Sequence, residues 1–106
     1  MSGVAMFAQG RDAMTVNYHN KDTALVAEGR RSRRLPLDIH EKATKLLRVL
    51  DVATDLEELR AVPGNRFHAL KDDRKGRYSI AINMQWRICF GWSDAGATDV
   101  EITDYH

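Results

Sequence analysis

The chain has 106 residues, a length that fits one small domain and not two independently folded ones. Hydrophobic residues make up 43% of it and charged residues 29%, an ordinary globular composition that excludes a wholly disordered chain. Cys89 is the single cysteine, which excludes a disulfide framework and a thiolate metal cage. No apolar run approaches the roughly 20 residues of a membrane span. Because residues 1–14 also lack the pattern of a secretory signal, we expect a cytoplasmic protein.

The small net charge of +1 conceals an uneven distribution of charge along the chain. Residues 30–34 (RRSRR) carry four arginines, and residues 66–77 hold five Lys or Arg against two Asp. These two segments sum to +7, so the remaining residues must sum to −6. Concentrated positive charge suits a polyanion or an acidic partner, although a solvated loop followed by a charged hairpin would give the same pattern.

Residues 1–29, which precede the long helix described below, predict little regular structure. Residues 1–13 show no clear period and are interpreted as a disordered N-terminal extension, ahead of a domain at residues 14–106. Residues 14–19 are rich in β-forming residues and predict a short strand. Residues 20–29 predict a short helix with Gly29 as its stop.

A long amphipathic helix is the strongest signal in the first half. It begins after Pro36, and its apolar residues recur at steps of three and four along one stripe, at Ile39, Ala43, Leu46, Leu47, Leu50 and Ala53. Residues 54–61 predict one further short turn of helix, and the run Pro63-Gly64-Asn65 ends the helical half. The basic residues 30–34 fall in the break before the long helix.

The second half changes to the alternating pattern of β-strands. Four runs are rich in aromatic and β-branched residues, at 66–70, 77–83, 86–92 and 98–105. Alternation gives these strands one apolar face, with Tyr78, Ile80, Ile82, Trp86, Ile88, Phe90, Trp92, Val100 and Ile102. The opposite face carries Arg77, Ser79, Arg87 and Cys89. We therefore expect an α+β fold, a small antiparallel sheet with the N-terminal helices packed on one face and an open face that is polar and basic.

The familiar motifs of metal and nucleotide chemistry are absent. The sequence has no phosphate-binding glycine-rich loop, no HExxH and no CxxC. None of its four histidines has metal-ligand spacing with another histidine or with Cys89. We therefore expect neither a metal enzyme nor a bound cofactor.

The remaining candidates are polar groups on strands that can be neighbours. They are His68, Lys71, Arg87 and the terminal run Asp104-Tyr105-His106. Such a set suits RNA cleavage without a metal, because the ribose 2′-OH is the nucleophile and the protein only moves protons and stabilises charge. Each residue also has a structural alternative: a half-buried strand histidine, a solvated lysine, a cross-strand ion pair or a frayed terminus. Strict alternation would also place Asp104 and His106 on the apolar face, away from Arg87.

These residues resemble the HigB-type plasmid-maintenance killer proteins of the RelE/ParE toxin superfamily. The family pattern is H-x-L-K-x-D-R-x-G-x-[WY]-S-I, then N-W-R-I-x-F, then a terminal E-D-Y-H. The matching residues are His68, Leu70, Lys71, Asp73, Arg74, Gly76, Tyr78, Ser79, Ile80, Trp86, Arg87, Ile88, Phe90, Asp104, Tyr105 and His106. The similarity covers residues 14–106, with Gln85 and Thr103 as departures from the pattern.

The resemblance implies a RelE-like fold and a type II toxin, a ribosome-dependent endoribonuclease that cleaves mRNA in the A site. The acid–base and orienting groups it implies are His68, Asp104 and His106, with the choice of base and acid left open. The residues it implies for contacts with the scissile phosphate and the mRNA base are Lys71, Arg87 and Tyr105. The cations it implies for contacts with ribosomal RNA phosphates are Arg30, Arg31, Arg33, Arg34, Arg74, Lys75 and Arg77.

The partners and the competing functions follow from the same resemblance. It implies a helix-turn-helix antitoxin, the 70S ribosome with its mRNA, and operator DNA bound through the toxin–antitoxin complex, with no membrane partner. The alternative function is that of the ParE branch, a non-enzymatic poison of DNA gyrase, whose members usually lack the histidine and the acidic-aromatic terminus. A third reading is a DNA-binding or interaction module, which would keep its activity after loss of both His68 and His106.

Overall fold

The computed structural model describes residues 15–104, apart from the side chain of Asp72. Its elements in chain order are helices α1 (Lys21–Ala27), α2 (His40–Val52) and α3 (Leu56–Arg60), then strands β1 (His68–Ala69), β2 (Arg77–Ala81), β3 (Trp86–Ser93) and β4 (Gly96–Asp104). Short 3-10 turns occur at Leu37–Ile39, Pro63–Asn65 and Asp72–Arg74. The predicted extension at residues 1–13 lies outside the described residues, as do Tyr105 and His106. Within the described range no helix is long and apolar enough to cross a membrane.

The four strands form one antiparallel sheet in the order β1-β2-β3-β4. His68 pairs with Ser79, Ser79 with Cys89, and Cys89 with Glu101, so these four residues form one row across the sheet. Residues directly opposite each other on paired strands project to the same face, which puts the whole row on one face. A bulge between Cys89 and Gly91 shifts the register of β3 against β4 beyond this row.

The core lies between the helices and the other face of the sheet. Helix α2 contributes Ala43, Leu47 and Leu50, which are all buried. The strands contribute Ile80, Ile88, Phe90, Val100 and Ile102 to the same cluster. The predicted helix stripe and the predicted apolar sheet face therefore meet each other, and the expected α+β fold with helices on one face is confirmed.

The segment before α1 differs from its prediction as a strand. Tyr18 makes a single parallel bridge with Val100, and the Val16 N–H donates to the Ala97 carbonyl at 2.7 Å. No strand forms at residues 15–19, because the chain turns into α1 at once. The Asn20 side chain caps that helix by accepting from the Thr23 N–H at 2.9 Å.

Hydrogen bonds around the buried residue Ser32 fix the basic loop before α2. The Ser32 hydroxyl donates to Asp22 at 2.6 Å, and the Ser32 N–H donates to His40 Nε2 at 3.1 Å. His40 Nδ1 donates to the Pro36 carbonyl at 2.8 Å. In this arrangement Nδ1 is the donor of the His40 ring and Nε2 is the acceptor. The four arginines of residues 30–34 therefore extend into solvent from an anchored loop.

Candidate functional site

The face of the sheet that points away from the helices is termed the outer face. It carries the row from His68 to Glu101 together with Arg87. His68 is exposed at one end of the row, whereas Ser79 and Cys89 in the middle are 1% and 0% exposed. The prediction of an open face is therefore wrong at its centre. Long side chains cover it, and Arg74 Nη2 lies 3.9 Å from Cys89 Sγ.

Arg87 is a buried cation on this face, with 8% of its surface exposed. It lies on β3 between Trp86 and Ile88, which pack on the core side. Its Nε donates to Ser79 Oγ at 2.9 Å, and its Nη2 donates to the Arg66 carbonyl at 2.6 Å. The guanidinium predicted to meet a phosphate is thus held by a strand hydroxyl and a loop carbonyl.

Lys71 follows β1 and lies in a groove of about 450 Å³ at the β1–β2 hairpin. Lys75, Arg77 and Tyr78 line the same groove. Tyr78 also packs against the core, and the other lining residues belong to β1, β2 and the connection between them. Lys71 and Lys75 are exposed, so both ammonium groups can meet an anion that approaches from the hairpin side.

Arg77 is part of a polar network on the β4 side of the outer face. Its Nη1 lies 3.4 Å from Asp99 Oδ2, and its Nη2 donates to the Asp99 carbonyl at 3.0 Å. His19 Nδ1 lies 3.0 Å from Asp99 Oδ1, and His19 Nε2 lies 3.8 Å from Glu101. The Arg77 side chain is 24% exposed, so this predicted RNA contact is already engaged with carboxylate and carbonyl oxygens. No local sequence pattern predicts the pairing of His19 with Asp99, because 80 positions separate the two residues.

Asp104 ends β4, opposite Trp86, and its Oδ2 accepts from Gln85 Nε2 at 3.0 Å. Strands β1 and β4 are the two edge strands of the sheet, and neighbouring strands lie about 4.8 Å apart. His68 and Asp104 are therefore separated by three strand spacings, about 14 Å across the strands, and Asp104 also lies three residues further along β4 than Glu101, the residue in register with His68. The structure places His68 and Arg87 on one face and does not bring Asp104 to them. Tyr105 and His106 lie outside the described residues, so the roles of the terminal run stay predictions.

A second basic surface lies on the helical side of the molecule and is termed the helix groove. It has a volume of about 340 Å³ and lies between the loop after α1 and helix α2. Its cationic lining residues are Arg30, Arg31, Lys45 and Arg48. Lys45 and Arg48 were not predicted to act with the arginines of residues 30–34, because only the packing of α1 on α2 brings them together. The sheet lies between this groove and the outer face.

The thiol of Cys89 is an unsuitable nucleophile despite its position in the row. Burial raises the pKa of this thiol, and that effect exceeds the opposing effect of Arg74 and Arg77. The thiol therefore stays protonated at neutral pH.

Among residues 15–104 no three His, Cys, Asp or Glu side chains come together in a way that could hold a metal ion.

The outer face therefore combines an exposed imidazole with a fixed guanidinium. His68 and Arg87 lie on opposite sides of Ser79, one paired with it across strands and the other bonded to its hydroxyl. An imidazole can accept or donate a proton near neutral pH, and a held guanidinium can stabilise charge on a phosphoryl group. The arrangement suits an anionic substrate whose reaction needs proton transfer.

Two curated relatives of the chain carry the name HigB. Toxin HigB-1 of Vibrio cholerae is 39% identical over 70 residues, which cover 66% of this chain and 74% of that protein. Endoribonuclease HigB of Proteus vulgaris is 29% identical over 93 residues, which cover 88% of this chain and 100% of that protein. A solved YoeB/ParE toxin from Agrobacterium tumefaciens is 20% identical, with a TM-score of 0.42 over 70% of this chain and 81% of that chain.

A family model gives the assignment. Residues 18–106 match the HigB-like toxin family, described as the RelE-like toxin of the type II toxin-antitoxin system HigB. The match spans most of the chain and includes both the long helix and all four strands. It also confirms the resemblance drawn from the motif residues. The chain therefore belongs to the HigB-like toxins of type II toxin-antitoxin systems.

Proposed function

We propose that this toxin is a ribosome-dependent endoribonuclease that cleaves mRNA in the A site by metal-independent acid–base catalysis. The observation that carries the proposal is that the exposed imidazole of His68 and the fixed guanidinium of Arg87 share the outer face, on either side of Ser79. The relative named Endoribonuclease HigB, matched over 88% of this chain, supports RNA as the substrate. In this proposal residues 14–106 form the toxin domain, and residues 1–13 precede it.

The chemistry needs one proton removed and one proton supplied. The ribose 2′-OH loses its proton as it attacks the neighbouring phosphorus, and the 5′ oxygen gains a proton as it leaves. His68, Asp104 and His106 are the proposed acid–base and orienting groups. Asp104 lies three strand spacings from His68, at the opposite edge of the sheet, so the two groups do not contact each other directly.

Substrate contacts are assigned to three further residues. Arg87 neutralises charge on the scissile phosphate, because its guanidinium is already oriented on the outer face. Lys71 contacts the phosphate from the hairpin side, where its ammonium group is exposed. Tyr105 stacks on the mRNA base or orients it. Preorganised cations of this kind lower the barrier without moving during the reaction.

Ribosomal RNA is the proposed partner of the basic segments. The proposed contacts are Arg30, Arg31, Arg33, Arg34, Arg74, Lys75 and Arg77. Residues 30–34 are best suited to this role, because their arginines are exposed and the helix groove adds Lys45 and Arg48. As a type II toxin the protein has an antitoxin partner. We assign that partner to the helix-turn-helix class, with operator DNA bound through the complex, and place both proteins in the cytoplasm.

The purified protein tests the proposal in a translation reaction. We expect mRNA cuts that cluster in translated frames and that are absent when ribosomes are omitted, as mapped by the 5′ ends of the products. Added chelator should leave the cleavage unchanged. Intact mRNA in this reaction, together with growth arrest in cells, would refute the enzyme assignment. Inhibition of DNA supercoiling by the protein would then favour the gyrase poison.

Replacing Arg30 and Arg31 with alanine is expected to weaken ribosome binding and to flatten its dependence on salt. Each phosphate contact that is lost should reduce the slope of log affinity against log salt by about one unit. Binding to 70S ribosomes is measured at several salt concentrations. Lys21→Ala is the control, since Lys21 is an exposed cation on α1 that does not line the helix groove. An unchanged slope for the double variant would rule out this contact.

A further inference from the structure

We infer that Ser79 is a positioning residue for the reaction of this toxin, because its hydroxyl fixes the guanidinium of Arg87 on the face of the sheet that also carries His68. The inference rests on the proposed function, and it adds a residue to which no role was assigned from the sequence. Ser79 would not touch the RNA. It would act by setting the orientation of Arg87.

The placement of Ser79 explains why a hydroxyl is found there. Ser79 is 1% exposed and lies on β2, between His68 on β1 and Cys89 on β3. A buried hydroxyl costs free energy unless it is hydrogen-bonded, and an apolar side chain would suit a buried strand position better. Ser79 Oγ accepts from Arg87 Nε at 2.9 Å, a bond to a charged donor. The hydroxyl is therefore matched to the guanidinium.

A second anchor holds the same edge of the guanidinium. Arg87 Nη2 donates to the Arg66 carbonyl at 2.6 Å, and Nε and Nη2 share one edge of the guanidinium plane. Arg66 has the left-handed conformation φ 47°, ψ 54°, which is uncommon for a residue other than glycine. Buried Asn65 supports this turn, since its Nδ2 donates to the Leu59 carbonyl at 3.0 Å. Two acceptors on one edge fix both the plane and its direction.

The two acceptors, the Ser79 hydroxyl and the Arg66 carbonyl, respond differently to mutation. The Arg66 carbonyl belongs to the backbone and survives any change of side chain, whereas the Ser79 hydroxyl can be removed alone. Without it Nε loses its acceptor, and the guanidinium is oriented less precisely. A cation displaced by about 1 Å can cost up to about 10²-fold in rate. Ser79 therefore controls a step that Arg87 performs.

Single-turnover cleavage of ribosome-bound mRNA tests this inference. We expect Ser79→Ala to reduce the rate constant by about 10–100-fold with little change in ribosome affinity. Ser79→Thr keeps the hydroxyl and should restore most of the rate. Cys89→Ala is the matched control, since it truncates a fully buried neighbour in the same row and should leave the rate within a few-fold of wild type.

The double variant with both Ser79→Ala and Arg87→Ala separates a positioning role of Ser79 from a general effect on the fold. If Ser79 acts through Arg87, adding Ser79→Ala to Arg87→Ala should cause no further loss of rate. An additional loss of the same size in that background would overturn the inference, as would a wild-type rate for Ser79→Ala. Should Ser79→Ala fail to fold, Ser79→Cys is the second variant. It is close in volume and replaces the hydroxyl with a weak acceptor.

A measurement without RNA tests the geometry by itself. In the nuclear magnetic resonance spectrum of the wild-type toxin, the Arg87 Nε–H signal should be protected from exchange with solvent. Ser79→Ala should remove that protection, and Ser79→Thr should retain it. Protection that is unchanged in Ser79→Ala would overturn the inference. A wild-type toxin that shows the protected signal but cleaves no mRNA would refute the proposed function and leave the positioning geometry intact.

Discussion

Replacing His68 with alanine is expected to slow mRNA cleavage by about 10²–10⁴-fold, the usual contribution of a positioned acid–base group. His68 is exposed on β1 and lies directly opposite Ser79, so its loss removes an imidazole from the outer face without opening the core. The fold should therefore remain intact, and the loss should appear in the rate constant at saturating ribosome concentration. Single-turnover cleavage in a translation reaction measures it. Mapping of mRNA 5′ ends in cells that express the variant gives a second readout.

His19→Ala is the matched control for this prediction. His19 is also an exposed imidazole on the outer face, but it is paired with Asp99 at 3.0 Å on the β4 side. Its removal should leave cleavage within a few-fold of the wild-type rate. An equal loss in the two variants would mean that removing either imidazole disturbs the face as a whole. A wild-type rate for His68→Ala would remove His68 from the chemistry.

Replacing Phe90 with alanine is expected to lower the free energy of unfolding by about 3–5 kcal/mol. Phe90 is fully buried in the centre of β3, and its ring lies 6.0 Å from that of Tyr78 and 6.5 Å from that of Trp92. A small domain is stable by only about 5–15 kcal/mol, so this variant should unfold at much lower urea concentration. Arg87 lies on the same strand, facing the opposite side. Activity should therefore fall together with the folded fraction.

Val49→Ala controls for the loss of apolar volume alone. Val49 lies on α2 with 43% of its surface exposed, and surface substitutions of this kind usually change stability by less than about 0.5 kcal/mol. Urea unfolding measures the free energy of unfolding of both variants, with one common slope of that free energy against urea concentration. If Phe90→Ala lowers the free energy of unfolding as little as Val49→Ala does, that result would contradict the core described for this sheet.

The amino-acid sequence alone predicted the layers of the fold and the residues that resemble the family motif. The stripe through Leu47 and Leu50 and the alternation through Ile88 and Phe90 are local patterns, and each identifies its buried face without knowledge of the other element. Gly29 was likewise predicted as the stop of the first helix, and it has φ 80° directly after Glu28, the C-cap residue of α1. Local periodicity and backbone preference suffice for predictions of this kind.

Tertiary structure decided how the candidate residues are arranged. The bond from Arg87 to the Arg66 carbonyl spans 21 positions and ends on a backbone atom, so no side-chain pattern could have indicated it. The separation of His68 from Asp104 depends on the order of the strands, which only the pairing of the whole sheet establishes. The proximity of Lys45 to Arg30 and Arg31 depends on the packing of α1 against α2. Periodicity records which way a side chain points along its own element, whereas the neighbours it meets are set by contacts between distant elements.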